Sequence, residues 1–404
     1  MPKTPRGDWI DRFIAYAQPF NTTPLFLEWG AVWQLSTAVT RQCVSELYGQ
    51  KMAPNMFVLL IAAPGAGKSQ AISAVRSIMI PATQFSFIPS SVTRAALQDF
   101  MSDNQQTRKD PAGAFSISNE AIALSEEMQG ILPEHDVGHL SLYNELYDLR
   151  SIYKSRTRTH GQIDLQAPYC SIITGAQPAF LATTLPEQAW GMGFMSRSIM
   201  VFDKQRDRTS AFKSKSLDHA AQTKLITDLR KRKELFGYFA WDSAAIDLYE
   251  TWWVDKGGPP VPQAKRLAMG YNTRRDMHFF KLAMAYSLAR GTDLKVTLED
   301  VTQAIGLLLR TEDRMRFIFA EMANTGVMVA MQDVLDIIRQ ETAAGKSVHE
   351  SVLINALQQR FPPNQVHAII DNLDKAQLIK VVEGKGAAAR GFREFTAGAK
   401  LGHL

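Results

Sequence analysis

The chain has 404 residues, 46% of them apolar and 21% charged, with a formal net charge of +5. That is the balance of a globular protein long enough for two or three domains, and its mild basicity permits nucleic acid as a partner without requiring it. Two cysteines in apolar surroundings, Cys43 and Cys170, exclude a disulfide framework or a cysteine-rich zinc site and fit a reducing compartment.

The opening stretch "MPKTPRGDWIDRF" lacks the apolar core of a signal peptide. No uninterrupted apolar run is long enough to span a bilayer, so a cytoplasmic protein with no membrane partner is expected. Residues 1–50 alternate apolar and polar at helical spacing, as in "DWIDRFIAYAQ" and "FLEWGAVWQLSTAVTRQCV", and predict a helical N-terminal segment. Residues 57–63, "FVLLIAA", read as a buried parallel strand, and 68–79 as a helix. Further strand-like runs fall near 114–117, at 121–124 ("AIAL"), within 167–178 ("APYCSIITGAQP") and at 198–203 ("SIMVFD"). Strands alternating with helical stretches predict an α/β parallel sheet flanked by helices, with a core over 51–205. Residues 204–233 are polar and charged, and read as a surface connection followed by helix. The chain is then mostly helical to about 320, interrupted by "KGGPPVPQ" at 256–263. This helical region, 206–325, precedes a small separate domain over 326–404.

Between the first strand and its helix lies Ala62-Ala63-Pro64-Gly65-Ala66-Gly67-Lys68-Ser69. It approximates G-x-x-x-x-G-K-[ST], with Ala62 in place of the first glycine. In that pattern backbone N–H groups surround phosphates, the lysine reaches the outer ones and the hydroxyl meets magnesium. Strand before and helix after are the context the pattern requires. Residues 63–70, closing on Gln70, are therefore the expected ATP cradle, with Ser69 as a magnesium ligand. An acid for the metal and a group to position water are also needed. The apolar run "AIAL" ends at Ser125-Glu126-Glu127. Glu126 is the candidate metal-associated acid and Glu127 the candidate water-positioning base. The alternative is an acidic pair favoured by a helix start.

The order of later residues resembles the AAA+ ATPases that carry a hairpin before sensor 1, especially the minichromosome-maintenance helicases. It is also similar to P-loop replication ATPases and helicases of bacteriophages, a likeness extended by "SSVTRAALQDFM" at 90–101. The resemblance covers roughly residues 10–320. It implies that Gln177 in "TGAQP" senses the γ-phosphate, where the family more often has Asn, and that Arg197 in "FMSRSIMVF" is an arginine finger for a neighbouring subunit. It implies a helical lid in "NTRRDMHFFKLAMAYSLA", with Arg274 or Arg275 contacting nucleotide and Arg275 taken as the cofactor contact. A finger acts only in an assembly, so a homo-oligomer, a hexamer, is implied, in host-cell cytoplasm if the protein is phage-encoded. Without the resemblance, Arg197 reads as a surface ion pair and Gln177 as a turn residue before Pro178.

Lys154, Arg156, Arg158 and His160 alternate with other residues and lead into Gly161, the pattern of a β-hairpin tip. Basic side chains there would hold DNA phosphates without reading sequence; a solvated basic loop is the alternative. The last 80 residues read as three short amphipathic helices followed by two strand-like runs around a Gly-rich basic tip, a winged helix-turn-helix pattern. The helix near 364–377 carries few positive residues, so Lys385, Arg390 and Arg393 in the wing are the expected phosphate contacts. Such domains also dock proteins. The combined expectation is a ring-forming, ATP- and magnesium-dependent DNA motor, a phage-type replicative helicase that could meet other replication proteins. The alternatives are an ATPase switch that loads a helicase or remodels a complex, and a nucleotide-dependent DNA-binding scaffold.

Overall fold

The structure, a computed structural model, describes residues 7–132, 136–157, 161–185, 190, 193–204, 216–255, 270–358, 361, 363–382 and 393–398. The chain divides into two compact units, Met1–Phe319 and Ala320–Leu404, at a point inside the helix Leu298–Ala343. No helix among the described residues is long and apolar enough to cross a membrane.

The first unit begins with two helices, α1 (Trp9–Tyr16) and α2 (Pro24–Ala38). Asp8 caps α1 by accepting from the Asp11 amide, and Thr23 caps α2 just before its N-terminal proline, the usual polar start of a helix. α2 is buried almost all round, as expected of a helix that is apolar on every face. The expected helical pattern does not extend to residue 50. Thr40 takes a positive φ of 48°, and the chain then forms β1 (Cys43–Leu47) and β2 (Gln50–Met52). These are joined at Tyr48-Gly49, both with positive φ, the signature of a tight hairpin turn whose twist matches its strands.

The central sheet is built on β3 (Phe57–Ile61), every residue of which is buried. Next come α3 (Lys68–Thr83), α4 (Arg94–Asp103), β4 (Gln105–Lys109) and β5 (Phe115–Ser125). Then follow α5 (Met128–Ile131), α6 (Val137–Tyr147), β6 (Ile152–Thr157), β7 (Gly161–Gln166) and β8 (Tyr169–Ala176). α7 (Pro178–Thr184) and β9 (Ser198–Phe202) complete the core. The strand order is β4-β5-β8-β3-β9. β5, β8, β3 and β9 are parallel and β4 is an antiparallel edge. The apolar runs noted in the sequence are these parallel strands, which are buried on both faces and so lose the alternation of a half-exposed strand.

β10 (Gly237–Tyr238) pairs in parallel with β1, extending the β1–β2 hairpin to three strands. β11 (Ala240–Trp241) and β12 (Lys295–Val296) form a small separate pair. Helices His219–Lys233, Ser243–Tyr249, Arg275–Arg290 and the first part of Leu298–Ala343 account for most of the rest of the unit.

The second unit packs Val334, Ile338, Leu353, Val366, Ile370 and Phe395 into one core. The first of its three expected helices is the end of the long helix Leu298–Ala343. The other two are Glu350–Leu357 and Pro363–Lys375. β13 (Val348–His349), β14 (Ile379–Val382) and β15 (Glu394–Ala397) form an antiparallel sheet in the order β13-β15-β14. β13 was not evident in the sequence, since two residues carry no readable periodicity.

Candidate nucleotide site and basic hairpin

The register of the parallel strands assembles the site. Ile61 lies opposite Ala176, and Ser125 opposite Thr174. The segments following β3, β5 and β8 therefore leave the sheet at one edge, its carboxyl edge. They converge on a cleft of about 250 Å³ whose walls include Gly65, Lys68, Ser69, Glu126, Glu127 and Gln177.

Gly67 holds the loop in place. Its φ is +87°, and a Cβ there would lie 2.4 Å from the Asn21 carbonyl oxygen and 2.8 Å from Thr22 Cα, so no other residue fits. Gly175 is equally constrained by contact: its Cβ would meet the Glu126 carbonyl at 2.3 Å. Lys68 Nζ donates to the carbonyls of Ala62 at 2.7 Å and Ala63 at 3.0 Å. Burial pulls its ammonium below the ordinary lysine range, and the nearby Glu127 carboxylate opposes that shift.

These features suit phosphates. Gly67 is the N-cap of α3 and offers no side chain to cap it. The first amides of a 16-residue helix thus face the cleft beside a lysine, an arrangement that favours an anion. For magnesium the donors are the exposed Ser69 and Glu126. Among the described residues no cluster of three or more His, Cys, Asp or Glu side chains is arranged to hold a metal.

Glu126 forms a 2.9 Å ion pair with Arg76 of α3, and both side chains are substantially exposed. Its carboxylate is therefore held by an arginine that sequence reasoning did not single out. Glu127 is exposed at the start of α5. Its carbonyl accepts from the Ser125 hydroxyl at 2.8 Å, fixing the turn after β5. Gln177 precedes α7 and lines the cleft opposite the loop. Gln70 is exposed in the first turn of α3.

Arg197 lies elsewhere. It directly precedes β9, and Ser198 pairs with Phe57, the first residue of β3, whereas the phosphate loop follows Ile61. At about 3.3 Å per residue, roughly 13 Å of strand separates them, so Arg197 occupies the opposite edge of the sheet. It donates from Nη2 to Asp148 Oδ2 at 2.6 Å and from Nη1 to the Gly193 carbonyl at 3.2 Å. Arg274 approaches the other Asp148 oxygen at 3.5 Å. Asp148, unremarked in the sequence, thus gathers two arginines.

Arg275 corrects an expectation. It is only 1% exposed and forms a two-point ion pair with Glu312, Nε to Oε1 at 2.7 Å and Nη2 to Oε2 at 2.6 Å. Its guanidinium also lies 5.3 Å from the Trp252 ring centre. A guanidinium so enclosed has no path to a nucleotide. Of the two candidates, only Arg274 is partly exposed.

β6 and β7 form the expected hairpin, with Thr157 opposite Gly161. Lys154 and Arg156 are exposed, with Lys154 opposite Asp164 and Arg156 opposite Gln162. Arg158 and His160 lie outside the described residues. The root of the hairpin is tied down: Arg41 Nη1 donates to the carbonyls of Arg150 at 3.1 Å and Pro168 at 3.0 Å. Gln98 Nε2 also donates to the Tyr153 hydroxyl at 3.0 Å.

In the second unit, Lys385 and Arg390 lie outside the described residues. Arg393 is a second correction. It bridges Glu350 at 2.8 Å and Asp371 at 2.6 Å, so its charge ties the sheet to two helices and is not free for DNA phosphates. No known family model matches the chain, and no curated protein matches it significantly in sequence.

Proposed function

We propose that this chain is an ATP-driven, ring-forming DNA motor of the P-loop class, acting as a phage-type replicative helicase. The observation that carries the reading is the meeting of Lys68, Ser69, Glu127 and Gln177 around one cleft at the carboxyl edge of a parallel sheet. The amides opening α3 and the Lys68 ammonium would hold the phosphates. Ser69 and Glu126 would hold magnesium, which when bound neutralises charge on the outer phosphate oxygens. Glu127 orients the attacking water and takes its proton, while Gln177 contacts the terminal phosphate.

Arg197 and Arg274 face the opposite edge, so their natural target is the cleft of an adjoining subunit. An arginine supplied in this way accelerates phosphoryl transfer by about 10³–10⁵. In this reading Asp148 holds both arginines until that subunit docks. The exposed Lys154 and Arg156 of the hairpin supply a sequence-independent grip on phosphates. The helical region after 206 serves as the lid and the second unit as a winged helix-turn-helix.

The test is strand displacement of a forked duplex by purified protein with ATP and magnesium at low salt. ATP-dependent unwinding supports the helicase. DNA-stimulated hydrolysis without unwinding supports a helicase loader or remodeller instead, and nucleotide binding without turnover supports a scaffold.

A further inference from the structure

A second concave surface lies away from the ATP cleft, at the root of the β6–β7 hairpin. A cleft of about 290 Å³ there is bordered by Leu149 and Ala167, which flank the hairpin on either side. Its walls carry Arg41, Lys51 and Arg108 and no carboxylate. Arg108 is paired with Glu120, whereas Lys51 is exposed, with Glu46 its neighbour across the β1–β2 hairpin. Through Lys51 and Leu149 the cleft joins a larger one of about 700 Å³, lined by Arg150, Arg274 and Lys281 against the single carboxylate Asp148. In that larger cleft Arg150 is paired with Glu145 and Lys281 is enclosed against the Ala53 and Asn55 oxygens.

The smaller lobe also presents apolar faces. Tyr238 is 53% exposed, Phe236 40% and Ile117 44%. Tyr238 sits on the edge strand β10, and Lys51 Nζ lies 5.4 Å from the centre of its ring. Exposed aromatic rings beside cations, in a cleft whose described lining residues include no carboxylate, are what successive bases and phosphates of a single strand require. Each base stacks on a ring and each phosphate meets a cation. A duplex has its bases already stacked and gains only the electrostatic part.

We propose that this smaller lobe binds single-stranded nucleic acid, with Phe236 and Tyr238 stacking bases and Lys51 and Arg41 facing phosphates, so that a strand leaving the hairpin is held at its root. The larger lobe ends at Arg274, assigned above to the neighbouring nucleotide, which places the strand in the smaller one. The inference deepens the DNA-motor reading and rests on it only for the chain's affinity for nucleic acid.

The test is fluorescence anisotropy of a labelled 30-nucleotide oligo-dT with the full chain and no nucleotide. F236A/Y238A should weaken binding at least about 30-fold, the low end for the loss of two base stacks. Y238W should retain it. Lys51→Ala should lower the slope of log affinity against log salt by about 0.7. Phe236, Tyr238 and Lys51 are all exposed, so unchanged thermal melting should accompany each variant.

If F236A/Y238A binds oligo-dT as tightly as the unaltered chain while K154A/R156A loses affinity, the inference is overturned and the motor reading stands. Equal binding of a 30-base-pair duplex, with equal loss in F236A/Y238A, would also overturn it, because stacking would not be the source. If the unaltered chain binds no DNA at low salt, the inference and the motor reading fall together.

Discussion

Arg275 and Glu312 lock together in the interior of the first unit, 37 residues apart and each less than 4% exposed. Tyr271 donates a further hydrogen bond to the same carboxylate at 2.9 Å. A buried pair broken on one side leaves an unpaired charge, which costs about 3–5 kcal/mol. Arg275→Ala should therefore lower unfolding stability by that order in urea titration. R275M/E312L, which removes both charges, should regain most of the loss. ATP affinity of the double variant should match that of the unaltered chain; a large drop with stability restored would mean Arg275 acts on nucleotide after all.

Glu127 is separable from binding. Glu127→Gln should reduce ATP turnover by about 10²–10⁴, the usual worth of a positioned base, while a fluorescent ATP analogue still binds. Lys68→Ala should lose both, since its ammonium is the cleft's own cation. Turnover intact in Glu127→Gln would remove Glu127 from the water-positioning role.

Arg197 is held by Asp148 in its own chain, and release from that carboxylate is a step in the proposed assembly. Subunits carrying Arg197→Ala mixed with subunits carrying Lys68→Ala should regain part of the ATPase, because some interfaces then contain an intact cleft and an intact arginine. No recovery at any ratio would count against action between subunits. Asp148→Asn should weaken the hold on Arg197 and Arg274 and raise the ATPase at low protein concentration, where assembly limits the rate.

His278 gives a pH signature. It is fully enclosed, its Nε2 lies 3.0 Å from the Ser196 carbonyl, and burial pulls its pKa down to about 3. An unfolded histidine titrates near 6.5. Between these values the unfolded chain binds a proton that the native chain refuses. The stability is thus complete above about pH 6.5 and falls with acidification, by up to about 1.4 kcal/mol per pH unit. Urea midpoints at pH 7.5 and pH 5 should differ accordingly, and His278→Asn should show a smaller difference. Burial shifts His139 in the same direction, so part of the slope should persist.

The glycine-rich loop between β3 and α3 was legible because its signal is local. Eight consecutive residues carry it, and strand and helix patterns on either side supply the context. The positions of the two glutamates and Gln177 were legible for the same reason, since each follows its strand, β5 or β8, by one or two residues. The choice between Arg274 and Arg275 was not. Arg274 is the N-cap and Arg275 the first residue of the helix Arg275–Arg290, and which of the two points inward depends on where Glu312 arrives. Arg393 was misread similarly, its partners Glu350 and Asp371 lying 43 and 22 residues away.

By itself, then, the sequence determined the parallel strands, the glycine-rich loop between β3 and α3, the acids after β5 and the basic hairpin. Each of these is written in the spacing of near neighbours, where backbone geometry alone sets the outcome. Only the tertiary structure decided that Arg197 stands at the edge opposite the cleft, that Asp148 holds it, that Arg275 is sealed inside, and that a cleft walled by Arg41, Lys51 and Arg108 opens at the root of the hairpin. Those relationships join residues tens to hundreds of positions apart, and a charge becomes an anchor or a contact only when folding brings its counter-charge, or water, beside it.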